Sequence, residues 1–121
     1  MVIKYLDGLG LLLYCLLIFW LSSQASLPAP MWFEHQDKLY HAGCYFILGL
    51  LLWRYLGHWQ QAPIIRALLA VFLGSLYGVS DEWHQAFVAG RSSSVADWLA
   101  DSAGVSMAVF WLFKLRNWQK I

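Results

Sequence analysis

The feature that most restricts what this chain can fold into is the spacing of its apolar residues. Four runs, at about 5–21, 39–55, 64–80 and 95–113, take up most of the 121 residues. As helices, runs of this length reach roughly 24–28 Å, the short end of what crosses a ~30 Å hydrocarbon core. With 60% hydrophobic and 12% charged residues and a mean hydropathy of +0.54, the chain does not read as an ordinary water-soluble domain. The expected fold is therefore all-α: one domain over residues 1–121, an integral membrane bundle of four transmembrane helices joined by short loops. Four spans leave no length for a separate soluble enzyme. Trp20, Trp32, Trp53, Trp59, Trp83, Trp98, Trp111 and Trp118 lie at or near the ends of the runs, where an amphipathic indole prefers the headgroup region.

A competing reading makes the first run a cleaved leader, because Lys4 precedes it and Ser23-Gln24-Ala25 resembles a small-residue cleavage site. The run is long for a leader, and its removal would leave an odd topology of three helices. Four spans is the better account.

The formal net charge of +1, with no basic run, gives no footprint for nucleic acid. Cys15 and Cys44 each sit inside an apolar run, which fits small core hydrophobes better than a disulfide framework or a zinc ribbon. The charges are nevertheless sorted along the chain. Lys4, Arg54, Arg66, Lys114, Arg116 and Lys120 fall at one end of the expected bundle, against Lys38 and Arg91 at the other. The basic end should face the cytoplasm with both termini, as expected for a multi-pass protein of a bacterial inner membrane. The opposite end then holds Glu34, Asp37, Asp81 and Glu82, with Asp97 and Asp101 just inside the fourth helix.

Helical spacing aims these groups inward. Asp37, His41, Tyr45 and Gly49 share a face of the second helix; Gly74, Gly78, Asp81 and Gln85 share one on the third; and Ser94, Asp97, Asp101, Gly104 and Ala108 share one on the fourth. Small residues let backbones approach closely in lipid, so the acids point the same way as the packing faces. Some of these residues also have plain structural readings. Asp37 fits an N-cap, Ser94 with Asp97 has capping-box spacing, and Lys38 can snorkel. His35 and His58 read as solvated loop residues. Asp101 lies two turns into its helix, beyond any capping role. An unpaired charge at the bilayer centre would cost at least ~2.5 kcal/mol, somewhat less nearer the edge, so Asp101 needs Arg91, Lys38, His41, a metal or a proton.

The order Asp37-Lys38-x-x-His41-x-x-x-Tyr45-x-x-x-Gly49, then Glu82-x-x-Gln85, Gly90-Arg91, Ser94-x-x-Asp97 and Gly104 resembles the VanZ-like family over about the last two-thirds of the chain. The resemblance implies a small polytopic bacterial membrane protein, and carries over Asp37, Lys38, His41, Glu82, Gln85, Arg91, Ser94 and Asp97. Some members of the family are associated with low-level resistance to the glycopeptide teicoplanin. The resemblance does not supply a reaction. This chain has Ala89 where the family usually has Pro, and Asp101 where it usually has Asn. The second departure adds a charge at the expected pocket.

Two classes of function follow. In the first, an outward-facing pocket performs acid/base or metal-assisted chemistry on a lipid-linked or amphiphilic cell-envelope molecule. Glu82 or Asp97 is then the base, His41 a proton shuttle, and Arg91, with Lys38, Gln85 and Ser94, binds the substrate. Asp37, His41 and Asp101 are the candidate metal ligands; no cofactor is legible. In the second, the same residues form a non-catalytic binding site or structural network that modulates access of amphiphiles to the outer leaflet. The bilayer is the expected partner in either case. A proton-coupled transporter fits less well, because neither the first nor the third run carries an acid at mid-depth.

Overall fold

The computed structural model describes residues 1–25 and 30–118; the expectation on Lys120 lies outside them, as does part of the loop before the second helix. Four helices follow one another, α1 (Val2–Ser22), α2 (Gln36–Leu56), α3 (Pro63–Gln85) and α4 (Val95–Trp118), with no strand among the described residues. Their 21 to 24 residues correspond to about 32–36 Å of helix. They outrun the apolar stretches because polar residues continue them: α2 starts at Gln36, ahead of Leu39, and α3 runs on through Asp81, Glu82 and Gln85. Pro63 opens α3 at its first turn, where its missing N–H costs nothing.

By length and composition α1 and α3 are each apolar enough to cross a membrane. In α2 and α4 an inward polar face, with His41 on one and Asp97 and Asp101 on the other, dilutes an otherwise apolar sequence. The outer faces are largely apolar. Leu12, Leu16, Leu68, Phe72, Met107 and Phe110 are all more than half exposed, far more apolar surface than a water-soluble monomer leaves open.

The centre of the bundle is the α2–α4 pair, with α3 against both and α1 along α2 and α3. Glycines set the spacing. A Cβ on Gly104 would overlap the carbonyl of Ala42; on Gly49 it would stand 2.9 Å from the Ala108 methyl, and on Gly74 2.7 Å from the Val105 side chain. Around these contacts Tyr45, Leu48, Leu52, Ala70, Val105 and Val109 form the buried core. Helix α1 contributes only Ile18 and Ser22 as buried residues.

The two ends of the bundle differ in charge. At one, Asp7 of α1 bonds Arg54 Nε and His58 Nε2 of the α2 terminus, both at 2.7 Å. Arg66 donates to the Trp53 carbonyl from Nε at 2.7 Å and lies over the Trp53 ring, and Arg116 donates to the Gln61 carbonyl. His58, expected as a solvated residue, is thus the partner of Asp7, a contact 51 residues apart in sequence. At the other end gather the remaining acids.

Candidate functional site

The polar site is assembled one turn inside the acidic end. Helix α2 opens after His35, which takes the cap position with φ +64° and no side-chain cap bond. Asp37 is therefore not the N-cap that its position suggested. It sits in the first turn, where a carboxylate is favoured by the helix dipole, and pairs with Lys38 at 2.8 Å. Lys38 also reaches Asp97 Oδ1 on α4 at 2.6 Å. Both residues precede the apolar part of α2. The two carboxylates push the Lys38 ammonium up to about 12, and Lys38 in turn holds the Asp37 carboxyl below its ordinary value.

The start of α4 is capped in an unusual division of labour. Ser94 Oγ accepts the Asp97 N–H at 3.1 Å, as its spacing predicted. In a complete capping box the third helical residue would return the favour to the Ser94 N–H. Here Glu82 of α3 takes that N–H on Oε2 at 3.0 Å. The Asp97 carboxylate is thereby left for Lys38 and for His41, whose Nε2 is 3.9 Å from Asp97 Oδ2.

His41 is the hub. Its Nδ1 is 2.8 Å from Asp101 Oδ1 and 4.0 Å from Glu82 Oε1, so three helices meet at one imidazole. Asp101 is fully buried beside Gly78 of α3, where a Cβ on the glycine would stand 3.3 Å from Asp101 Oδ2. Glu82 Oε1 and Asp101 Oδ2 are buried without a hydrogen-bond partner. Asp81 lies next to them in α3 and receives two hydroxyl bonds, from Ser22 of α1 to Oδ1 and from Tyr45 of α2 to Oδ2 at 3.1 Å. Oxygen or nitrogen atoms of His41, Asp81, Glu82 and Asp101 all lie within 4.8 Å of one another.

Beside this cluster a cavity of about 40 Å³ is lined by Ile18, Ser22, His41, Tyr45, Gln85 and Arg91, among others. That volume holds only a few water molecules, at roughly 10–15 Å³ each. Gln85 is buried and donates to Ser22 Oγ at 3.4 Å, leaving its own carbonyl oxygen unpaired. Arg91 follows Gly90, whose φ of +83° and approach to Ala25 require glycine. The Arg91 Nη1 donates to the carbonyls of Leu21 and Gln24 at 3.0 and 3.1 Å, covering the open C-terminus of α1.

Of the residues singled out from the sequence, the structure brings together His41, Glu82, Asp97 and Asp101, with Lys38 and Ser94 holding them from one side and Gln85 and Arg91 lining the cavity on the other. Asp37 stays outside the cluster, on Lys38. Three members were not among the candidates. Asp81 and Tyr45 already stood on the inward helical rows, but nothing in the sequence singled out Ser22.

A buried, histidine-centred acidic cluster at one end of an all-α bundle with membrane-type helices defines the class: a membrane protein with a polar site between its helices. Within that class the chain belongs to the VanZ-like family, since the family model described as VanZ/LLP1 matches residues 9–117. No curated protein and no solved structure matches the chain.

Proposed function

We propose that the protein is a four-span bundle of the bacterial inner membrane, with both termini cytoplasmic, and that its polar site acts on or binds a lipid-linked or amphiphilic cell-envelope molecule at the outer side. The observation that carries this reading is the buried convergence of His41 with Asp81, Glu82, Asp97 and Asp101. Ionisable groups inside a membrane bundle are costly and are kept where they contact substrate, ion or proton. The cavity beside them is too small for a headgroup, so a ligand would enter by displacing Arg91 from the end of α1 and pairing with the freed guanidinium. In that arrangement Glu82 Oε1, buried and without a bonding partner, is the proton acceptor, and His41 relays the proton to Asp101. Lys38 and Ser94 position Asp97 and Glu82, while Gln85 offers its amide to the ligand.

A second reading, binding without turnover, is favoured by the hydroxyls. Ser94 Oγ accepts a backbone N–H, and Ser22 Oγ is held between Asp81 and Gln85, so neither is paired with His41 as an activated nucleophile requires. A link to teicoplanin susceptibility belongs to either version.

Native mass spectrometry of the detergent-purified protein tests the shared core of both. A retained amphiphile whose occupancy falls at least tenfold in Arg91→Ala supports the site; wild-type protein that carries none, or equal retention in the variant, overturns it. Glu82→Gln then separates the versions, since loss of envelope-related activity with retention of the amphiphile indicates catalysis.

A further inference from the structure

Four carboxylates, from Asp81, Glu82, Asp97 and Asp101, are buried within reach of one another, and every one of these residues is at most 7% exposed. The facing cations are Lys38, which Asp97 shares with Asp37, and His41 if protonated. Arg91 is engaged with backbone carbonyls at the far side of the cavity. Three carboxylates thus share one imidazole, and negative charge buried in this way needs protons or a cation. Independently, two buried carboxylate oxygens of this group lack any donor: Asp101 Oδ2, on a residue with no exposed surface, and Glu82 Oε1, which is turned toward His41 Nδ1 at 4.0 Å.

We infer that His41, Asp81, Glu82 and Asp101 form a binding site for a divalent first-row transition-metal ion such as Mn²⁺ or Zn²⁺. The donor set is one imidazole nitrogen and three carboxylates, which suits these ions, whereas Mg²⁺ and Ca²⁺ prefer oxygen throughout. Ligand atoms around one ion at ~2.0–2.2 Å stand at most about 4.4 Å apart. Only ligands directly opposite each other reach that distance, and neighbouring ones stand about 3.0–3.6 Å apart, so the observed limit of 4.8 Å requires the side chains to close in by up to about an ångström on the ion. His41 Nδ1 is the nitrogen that faces Asp101 and Glu82; on binding, the ion replaces the proton shared with Asp101 Oδ1, and that proton leaves to solvent.

The surrounding bonds match what a metal site needs outside its ligands. His41 presents Nε2 toward Asp97 at 3.9 Å, and Lys38 steadies Asp97; a shift of about an ångström would close the carboxylate–histidine–metal order that fixes ring orientation. Glu82 is anchored through Oε2 on the Ser94 N–H, leaving Oε1 to coordinate. Asp81 is oriented by Ser22 and Tyr45. The adjacent cavity of about 40 Å³ has room for a coordinated water.

The inference concerns the same site as the proposed function: an ion there takes Glu82 Oε1 and His41 Nδ1 in place of the proton relay and leaves Asp97 as the base, whereas capture of an amphiphile by Arg91 does not require the ion, so ligand retention and metal content can fail separately. The test is metal content by elemental analysis of the full-length protein in detergent, after chelator treatment and reloading with Mn²⁺ or Zn²⁺ against Mg²⁺. The expected result is one Mn²⁺ or Zn²⁺ per chain, with affinity reduced at least ~10-fold in Glu82→Gln and in Asp101→Asn and unchanged in Glu34→Gln, whose carboxylate is exposed. Helicity by circular dichroism certifies that each variant is folded. Folded wild-type protein that holds neither ion in stoichiometric amount overturns the site, as does equal binding by both ligand variants or equal preference for Mg²⁺.

Discussion

Lys38 shows how much one side chain can settle at the edge of a buried polar cluster. Its ammonium is shared between Asp37, which is partly exposed, and Asp97, which is 7% exposed, so the two carboxylates are not equivalent. Asp37 can turn to water when the lysine is lost; Asp97 cannot. Lys38→Met should destabilise the protein by about 1–3 kcal/mol, the range for a buried group left without its partner. Adding Asp97→Asn should restore part of that loss, whereas adding Asp37→Asn should not. Thermal unfolding in detergent gives both comparisons, and equal rescue by the two second changes would mean that the Lys38–Asp97 pair carries no special weight.

Among elements, α2 and α4 come closest where glycines leave out a side chain, at Gly49 and Gly104. A methyl group at position 104 has nowhere to go, because the Ala42 carbonyl occupies its place, whereas a Cβ on Gly43 meets nothing within 4 Å. Gly104→Ala should therefore cost roughly 1–3 kcal/mol, as overpacking of a closed interface does, and Gly43→Ala should be close to neutral or slightly stabilising. Comparing the two melting temperatures checks it; similar values would show that the helices can separate without penalty. This face was legible in the sequence, since Gly49, Gly104 and Ala108 repeat at helical intervals beside the acids. The inward position of His41, Asp97 and Asp101 followed from the same spacing. The exact partners did not, because periodicity fixes the face of a residue and not its depth or the rotation of the neighbouring helix. Glu82 was thus legible as an acid near the site but not as the cap of another helix, and the Asp7–His58 bond, 51 residues long in sequence, left no local sign at all.

For the whole molecule, the distribution of charge gives a direct prediction of orientation. The end carrying Asp7, Arg54, Arg66 and Arg116 is tied by the Asp7–Arg54 pair and by arginine bonds to backbone carbonyls, while the end carrying Lys38 and Arg91 is rich in acids. With four spans and the basic end in the cytoplasm, a cysteine replacing Glu34 should react with a membrane-impermeant thiol reagent in intact cells. One replacing Gln61 should react only after permeabilisation. Both are made in a background where the free thiols Cys15 and Cys44 are changed to alanine. The reverse pattern would invert the topology, and labelling of both sites from outside would break the four-span reading. Helices α1 and α3 carry the membrane signal by composition alone; α2 and α4 do not, because each devotes a face to the polar site.

The cap that Glu82 supplies to Ser94 has a further consequence, for the order of assembly. Glu82 precedes Ser94 by 12 residues, so during synthesis the acceptor leaves the ribosome before the amide it will serve. One amide at the beginning of α4 is therefore satisfied only when the end of α3 stands beside it, a bond that ties the last two helices together as a hairpin.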